Sequence, residues 1–151
     1  MVMKRLIYLL LPLILLTGCH QKNREEQSSK KDPFYNEVEN LHIEWKDMFL
    51  DKEEPFYVYV YSITCPPCSS LREQVVTFAQ ANYVPFYFVY PSDDVVFADD
   101  IETAENSIGA TRIEDISIYN TPTLIGINNK EVTYYTRDYY TIKNFIESYT
   151  E

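Results

Sequence analysis

The sequence predicts an α/β domain with a central mixed β-sheet flanked by helices, and three observations predict it. Two runs made almost wholly of aromatic and β-branched residues, FYVYVY at 56–61 and VPFYFVY at 84–90, alternate with stretches of helical periodicity. A third apolar run, at 123–127, is followed by a turn pair and a returning strand, so that end of the sheet is antiparallel. The chain has 151 residues, 46% hydrophobic and 15% aromatic, enough apolar mass for one domain and too much for a disordered chain.

Taken in order, Asp32 and Pro33 read as a capping acid and a first helical position. Phe34, Val38, Leu41, Trp45, Met48 and Phe49 then recur every three or four residues, which predicts one amphipathic helix. Residues 52–55 break it, and 56–61 form a strand buried on both faces. Thr64-Cys65-Pro66-Pro67-Cys68 follows at once. Leu71, Val75, Phe78 and Ala79 place a second helix that begins inside this motif. The strand at 84–90 carries Pro85 near its start, where a missing donor matters least.

Ile101, Ala104 and Ile108 predict a further helix, and Thr111 with Glu114 forms a capping box for another over Ile113 and Ile116. Thr121-Pro122 opens the strand at 123–127, Asn128-Asn129 is the tight turn, and 132–136 returns beside it. Asp138 caps a last helix with Tyr139, Ile142, Phe145, Ile146 and Tyr149 on one face.

The N-terminus reads as an export signal over 1–18. Lys4 and Arg5 precede an apolar run at 6–16 that is interrupted by Pro12. At ~1.5 Å per residue this run is too short for a ~30 Å hydrocarbon core. Leu16-Thr17-Gly18-Cys19 closes it and resembles the lipobox of bacterial lipoproteins. That likeness implies a lipid on the Cys19 sulfur and cleavage before it, leaving the mature chain anchored on the extracytoplasmic face of the cell membrane. Residues 19–33 then form a polar tether, spanning roughly 20 Å root-mean-square if flexible, and 34–151 form the folded domain.

Charge narrows the possible partners. The chain carries 13 Lys+Arg against 23 Asp+Glu, a net of −10. Residues 34–151 hold 7 basic and 20 acidic side chains, a net of −13. Such a body has no electrostatic reason to hold nucleic acid and stands off from anionic lipid.

The chemistry sits in the C-x-x-C. Cys65 lies where a helix start presents unpaired amides and the positive end of its dipole, which favours thiolate over thiol. Cys68, one turn further in, is placed to close a disulfide with it and to resolve a mixed disulfide formed there. Cys65 is therefore expected to be the exposed nucleophile and Cys68 the buried resolving thiol. Pro66 and Pro67 carry no N–H, so donation to the Cys65 sulfur falls to the Cys68 amide, its thiol or the Thr64 hydroxyl.

The order strand, C-x-x-C, helix, strand, helical segment, Thr-Pro, hairpin, helix resembles the thioredoxin superfamily over about residues 33–150. That resemblance implies a cis-proline at Pro122 packed beside the Cys65–Cys68 pair, with the Thr121 backbone offered to a substrate strand. With the signal, the chain is similar to membrane-anchored thioredoxin-like lipoproteins of Gram-positive bacteria, and shares some pattern with bacteriocin transport accessory proteins. It departs from thioredoxin in four places. Thr64 stands where a tryptophan usually precedes the first cysteine, and Tyr59 where the family buries an aspartate that aids proton transfer. Thr136-Arg137-Asp138 holds no glycine at the end of the hairpin, and 91–120 is longer than a minimal thioredoxin needs.

The expected function is a membrane-anchored thiol-disulfide oxidoreductase acting on cysteines of exported proteins and recharged by a membrane redox partner. Its direction of electron flow stays open, and no cofactor is expected beyond the Cys65–Cys68 disulfide. The alternative is a non-catalytic thioredoxin-fold lipoprotein serving as an accessory or binding module in peptide export. A metal site is not expected: zinc needs two more good ligands, and His42 is read as facing solvent on the first helix. Asp93, Asp94, Asp99 and Asp100 lack the spacing of a calcium loop and are read as a solvated face. The tyrosines are assigned to packing.

Overall fold

The computed structural model describes residues 33–49, 55–92 and 94–150. The expected signal at 1–18, the lipidation at Cys19 and all but the last residue of the tether lie outside them. Among the described residues, no helix is long and apolar enough to cross a membrane.

A four-stranded sheet is built from β1 (Phe56–Val60), β2 (Phe86–Val89), β3 (Thr123–Asn128) and β4 (Glu131–Thr136), in the order β2-β1-β3-β4. β1 pairs parallel with β2 and antiparallel with β3, and β3 pairs antiparallel with β4. Among the described residues three α-helices accompany it: α1 (Pro66–Ala81), α2 (Ile101–Glu105) and α3 (Tyr139–Glu147). This is the thioredoxin-like α/β arrangement, a mixed sheet flanked by helices.

Alternation along the strands sorts side chains into two cores. α1 and α3 cover one face, where Tyr59, Tyr61, Phe86, Phe88 and Leu124 pack with both cysteines. The other face holds Val58, Val60, Ile125 and Ile127, and is covered by Trp45, Met48 and the segment carrying Val95, Ala104, Ile116 and Ile118. A β-bulge between Gly126 and Ile127 shifts the β4 register, so that Val132 and Tyr135 share the second face while Tyr134 packs on the first.

Four local expectations are corrected. The first helix is not one α-helix but two 3-10 stretches, Pro33–Leu41 and Trp45–Asp47, with a kink at Val38. Sheet pairing overrides the helical period here: His42 bridges Phe88, and the Ile43 amide donates to the Phe88 carbonyl at 2.9 Å, so the chain extends to cover the β2 edge. His42 consequently turns inward, stacked on Phe88, with Nε2 2.8 Å from the Tyr61 hydroxyl. The capping box at Thr111 does not form; a single 3-10 turn, Ile113–Asp115, follows Arg112, whose guanidinium takes the Asp115 carboxylate at 2.9 and 3.0 Å. The hairpin turn lies one residue later than expected, at Asn129 and Lys130, both at positive φ.

The segment 91–120 has a structural use. The Gly109 amide donates to the Val132 carbonyl at 2.8 Å and the Val132 amide to the Ala110 carbonyl at 2.9 Å. It therefore pairs with the outer edge of β4, which otherwise exposes unpaired backbone groups.

Candidate active site

The site forms where β1 ends and α1 begins. After Val60 the chain turns through Ser62, whose carbonyl accepts the Cys65 amide at 3.2 Å and whose Oγ lies 3.1 Å from the Thr64 hydroxyl. Thr64 is thus engaged with Ser62. Cys65 is the N-cap of α1, Pro66 and Pro67 fill its first turn, and the Ser69 amide closes the first helical bond to the Cys65 carbonyl at 3.0 Å. The prolines fit because the donors they lack have no intrahelical partner at that position anyway.

Cys65 and Cys68 are joined in a disulfide with their Cα atoms 5.2 Å apart. The Cys68 amide donates to Cys65 Sγ at 3.2 Å. From the other side, the Thr121 carbonyl oxygen lies 3.1 Å from the same sulfur, and the Thr121–Pro122 peptide is cis. The structure thus brings Cys65, Cys68, Thr121 and Pro122 together across 56 residues of sequence, and places Pro66 and Pro67 at the helix start. Cys19 lies outside the described residues.

The two backbone dipoles on Cys65 Sγ oppose one another. The Cys68 N–H stabilises negative charge on the sulfur, whereas the Thr121 carbonyl repels it and offers an acceptor to the thiol proton. In the oxidised state Cys65 has no proton to give, so the 3.1 Å approach is a contact; a thiol proton on Cys65 would have this carbonyl within reach as an acceptor. Burial departs from expectation in degree. Cys65 is 9% exposed and Cys68 2%, so the order holds but the first sulfur is largely covered. The Thr121 carbonyl lies against it.

Sequence reading missed two positioning residues. Ser62 fixes the turn ahead of Cys65, a role legible in the short polar S-x-T-C spacing. Thr123, fully buried, donates its hydroxyl to the Asn120 carbonyl at 2.6 Å and so ties down the loop that carries Thr121 and Pro122. Tyr59, on the strand that leads to the disulfide, is fully buried. Its ionisation is pushed well above the ordinary tyrosine range, first by burial, then by Tyr35, with Arg72 opposing. It holds a proton rather than accepting one at neutral pH. No group of three or more His, Cys, Asp or Glu able to hold a metal ion is present among the described residues.

No family model matches the sequence, and no curated protein matches it. Among solved structures it is similar to thioredoxin f2 of Chlamydomonas reinhardtii, at 16% identity over 72% of this chain and 94% of that one, with a TM-score of 0.48. It is also similar to mitochondrial thioredoxin 3 of Saccharomyces cerevisiae, at 12% identity over 71% and 92%, TM-score 0.43. A mutant thioredoxin from Halobacterium salinarum matches at 18% identity over 74% and 90%, TM-score 0.41. At these levels the fold rests on the strand order given above, and the site on its own geometry.

Proposed function

We propose that the chain is a thiol-disulfide oxidoreductase working through Cys65 and Cys68. One observation carries the reading: a disulfide at the start of α1 whose first sulfur accepts from the Cys68 amide and faces the Thr121 carbonyl beside Pro122. In the reducing direction, the Cys65 thiolate attacks one sulfur of a substrate disulfide, and the other leaves as a thiolate that takes a proton from solvent. The Cys68 thiolate then attacks the Cys65 sulfur, expels the second substrate thiolate and closes the Cys65–Cys68 bond. Two electrons pass to the substrate; a redox partner returns them. The oxidising direction is the same path reversed. Thr64, Pro66, Pro67, Thr121 and Pro122 shape the approach, with Thr121 offering its backbone to an extended segment.

The sequence before residue 33 supports the address: a lipid on Cys19 holds the domain outside the cell membrane, where its substrates are exported proteins and its recharging partner is a membrane protein. Two measurements test the proposal. Cys68→Ala should accumulate reductant-sensitive adducts through Cys65 on denaturing gels, whereas Cys65→Ala should accumulate none. Equal, purely destabilising effects of both overturn the catalytic reading and favour the accessory module. For the address, Cys19→Ser should move the protein from the detergent phase to the aqueous phase; unchanged partitioning overturns it.

A further inference from the structure

The face of the 91–120 segment turned away from the sheet carries a second feature. A shallow groove of about 320 Å³ runs between the stretch 96–99, α2 and the turn at 114–117. Its apolar lining includes Ile116, fully buried, together with Val96 and Phe97, which are 47% and 53% exposed. Asp99, Glu114 and Asp115 also line it. Residues 91–120 hold eight acidic side chains and one basic, Arg112, which is paired with Asp115 and Glu114.

The groove and the disulfide site are linked along the chain by the short stretch 118–121. Phe97 bridges Ile118, with the Ala98 amide donating to the Ile118 carbonyl at 2.8 Å and the Ile118 amide to the Val96 carbonyl at 2.9 Å. From Ile118 to Thr121 is at most about 10 Å of extended chain. Tyr119, 40% exposed under the Arg137 guanidinium at 5.5 Å, lies on that path.

We infer that this groove docks a cationic, amphipathic segment of the substrate protein and so presents a nearby cysteine to Cys65. The inference rests on the redox reading for its purpose and on the groove for its chemistry. Complementarity selects the occupant. Apolar side chains of the segment fill the Val96–Phe97 surface while its lysines and arginines meet Asp99 and the negative charge that Glu114 and Asp115 keep in excess of Arg112. A second copy of this chain is disfavoured by its own charge, −13 over residues 34–151, and anionic lipid by the same field. The groove volume is at the small end for a cofactor-sized ligand and fits side-chain anchors.

The test uses the full chain and a fluorescent, cysteine-free peptide of alternating lysine and leucine, followed by anisotropy. Binding should saturate, weaken as salt rises, and be absent for the glutamate–leucine counterpart. Asp99→Lys and Phe97→Ser should each weaken it about tenfold. Glu73→Lys, an exposed charge reversal on α1, should change it by less than about twofold. Equal binding of the anionic peptide, or equal loss in Glu73→Lys and Asp99→Lys, overturns the inference. The probe has no thiol, so failure of the redox reading leaves this result standing and shows separately as absent mixed disulfides in Cys68→Ala.

Discussion

Along β1 and the residue after it, Tyr57, Tyr59 and Tyr61 project to the cysteine-bearing face of the sheet, while Phe56, Val58 and Val60 project to the other. The first face is a lattice of rings: Tyr35 stacks on Tyr61 at 4.0 Å between centroids, and Tyr59, Phe86 and Phe88 meet within 6.3 Å. It is closed by the long α1 and by α3, which is capped by the Asp138 carboxylate taking the Thr141 amide at 2.8 Å. The second face is mostly aliphatic, and its cover is a winding segment with one five-residue helix and a single 3-10 turn. The difference separates two demands. Holding two sulfurs at fixed positions needs a rigid helix packed on directional ring contacts. Keeping water off a set of Val and Ile side chains needs only apolar cover, so that side of the sheet can carry an extra segment whose outer surface is free for binding.

The largest expected effects come from neighbours on β3 that belong to opposite faces. Leu124 and Ile125 are both fully buried, Leu124 with the cysteines and Ile125 among the aliphatic residues. Leu124→Ala and Ile125→Ala should each cost about 2–5 kcal/mol in urea unfolding. Only Leu124→Ala should also alter the rate of Cys65 alkylation in the reduced protein. Equal changes of that rate in both variants would break the division into independent faces.

A smaller effect is expected at Gly126, on the ring face. A Cβ there would lie 2.9 Å from Tyr134 Cβ and 2.9 Å from Tyr57 Cε1, so the strand or the tyrosine ring must move. Gly126→Ala should destabilise by about 1–3 kcal/mol, and Tyr57→Leu in the same chain should recover part of that loss. If Gly126→Ala proves neutral, the ring face is looser than its contacts indicate.

How much of this was legible beforehand follows the same division. The strands and α1 were readable because FYVYVY, FYFV and the i, i+3, i+4 spacing of Leu71, Val75 and Phe78 are set locally, and C-x-x-C at the strand–helix junction located the sulfurs. The region 33–49 was misread because Phe34, Val38 and Leu41 keep a helical period while His42 and Ile43 answer to the β2 edge, a partner more than forty residues away. The same cause explains His42, whose burial depends on Phe88 and Tyr61 rather than on its own neighbours. At Thr111, the bond between Arg112 and Asp115 replaced the expected cap, a competition that spacing alone does not decide. The approach of Thr121 to Cys65 was carried by family resemblance; no property of residues 65 and 121 taken singly contains it.

The smallest effect at neutral pH, and the sharpest probe of the ring face, is at Tyr59. Its buried hydroxyl beside Tyr35 holds its proton well above the ordinary tyrosine range. Below about pH 10, the unfolded-state value, folded and unfolded chains are both protonated at this group and stability does not depend on it. Above that pH the unfolded chain releases the proton and the native chain keeps it. The native state then binds more protons, so stability falls as pH rises, by up to about 1.4 kcal/mol per pH unit, until the folded value is passed. Tyr59→Phe should therefore change stability by no more than about 1 kcal/mol at neutral pH, yet flatten the alkaline decline measured by urea midpoints at successive pH values. Tyr57 and Tyr134, half-buried on the same face and raised by burial, leave a residual slope. An alkaline profile identical in the variant would mean that the Tyr59 hydroxyl reaches solvent. The face that carries the cysteines would then be open to water in just the place where its rings close over the centre of the sheet.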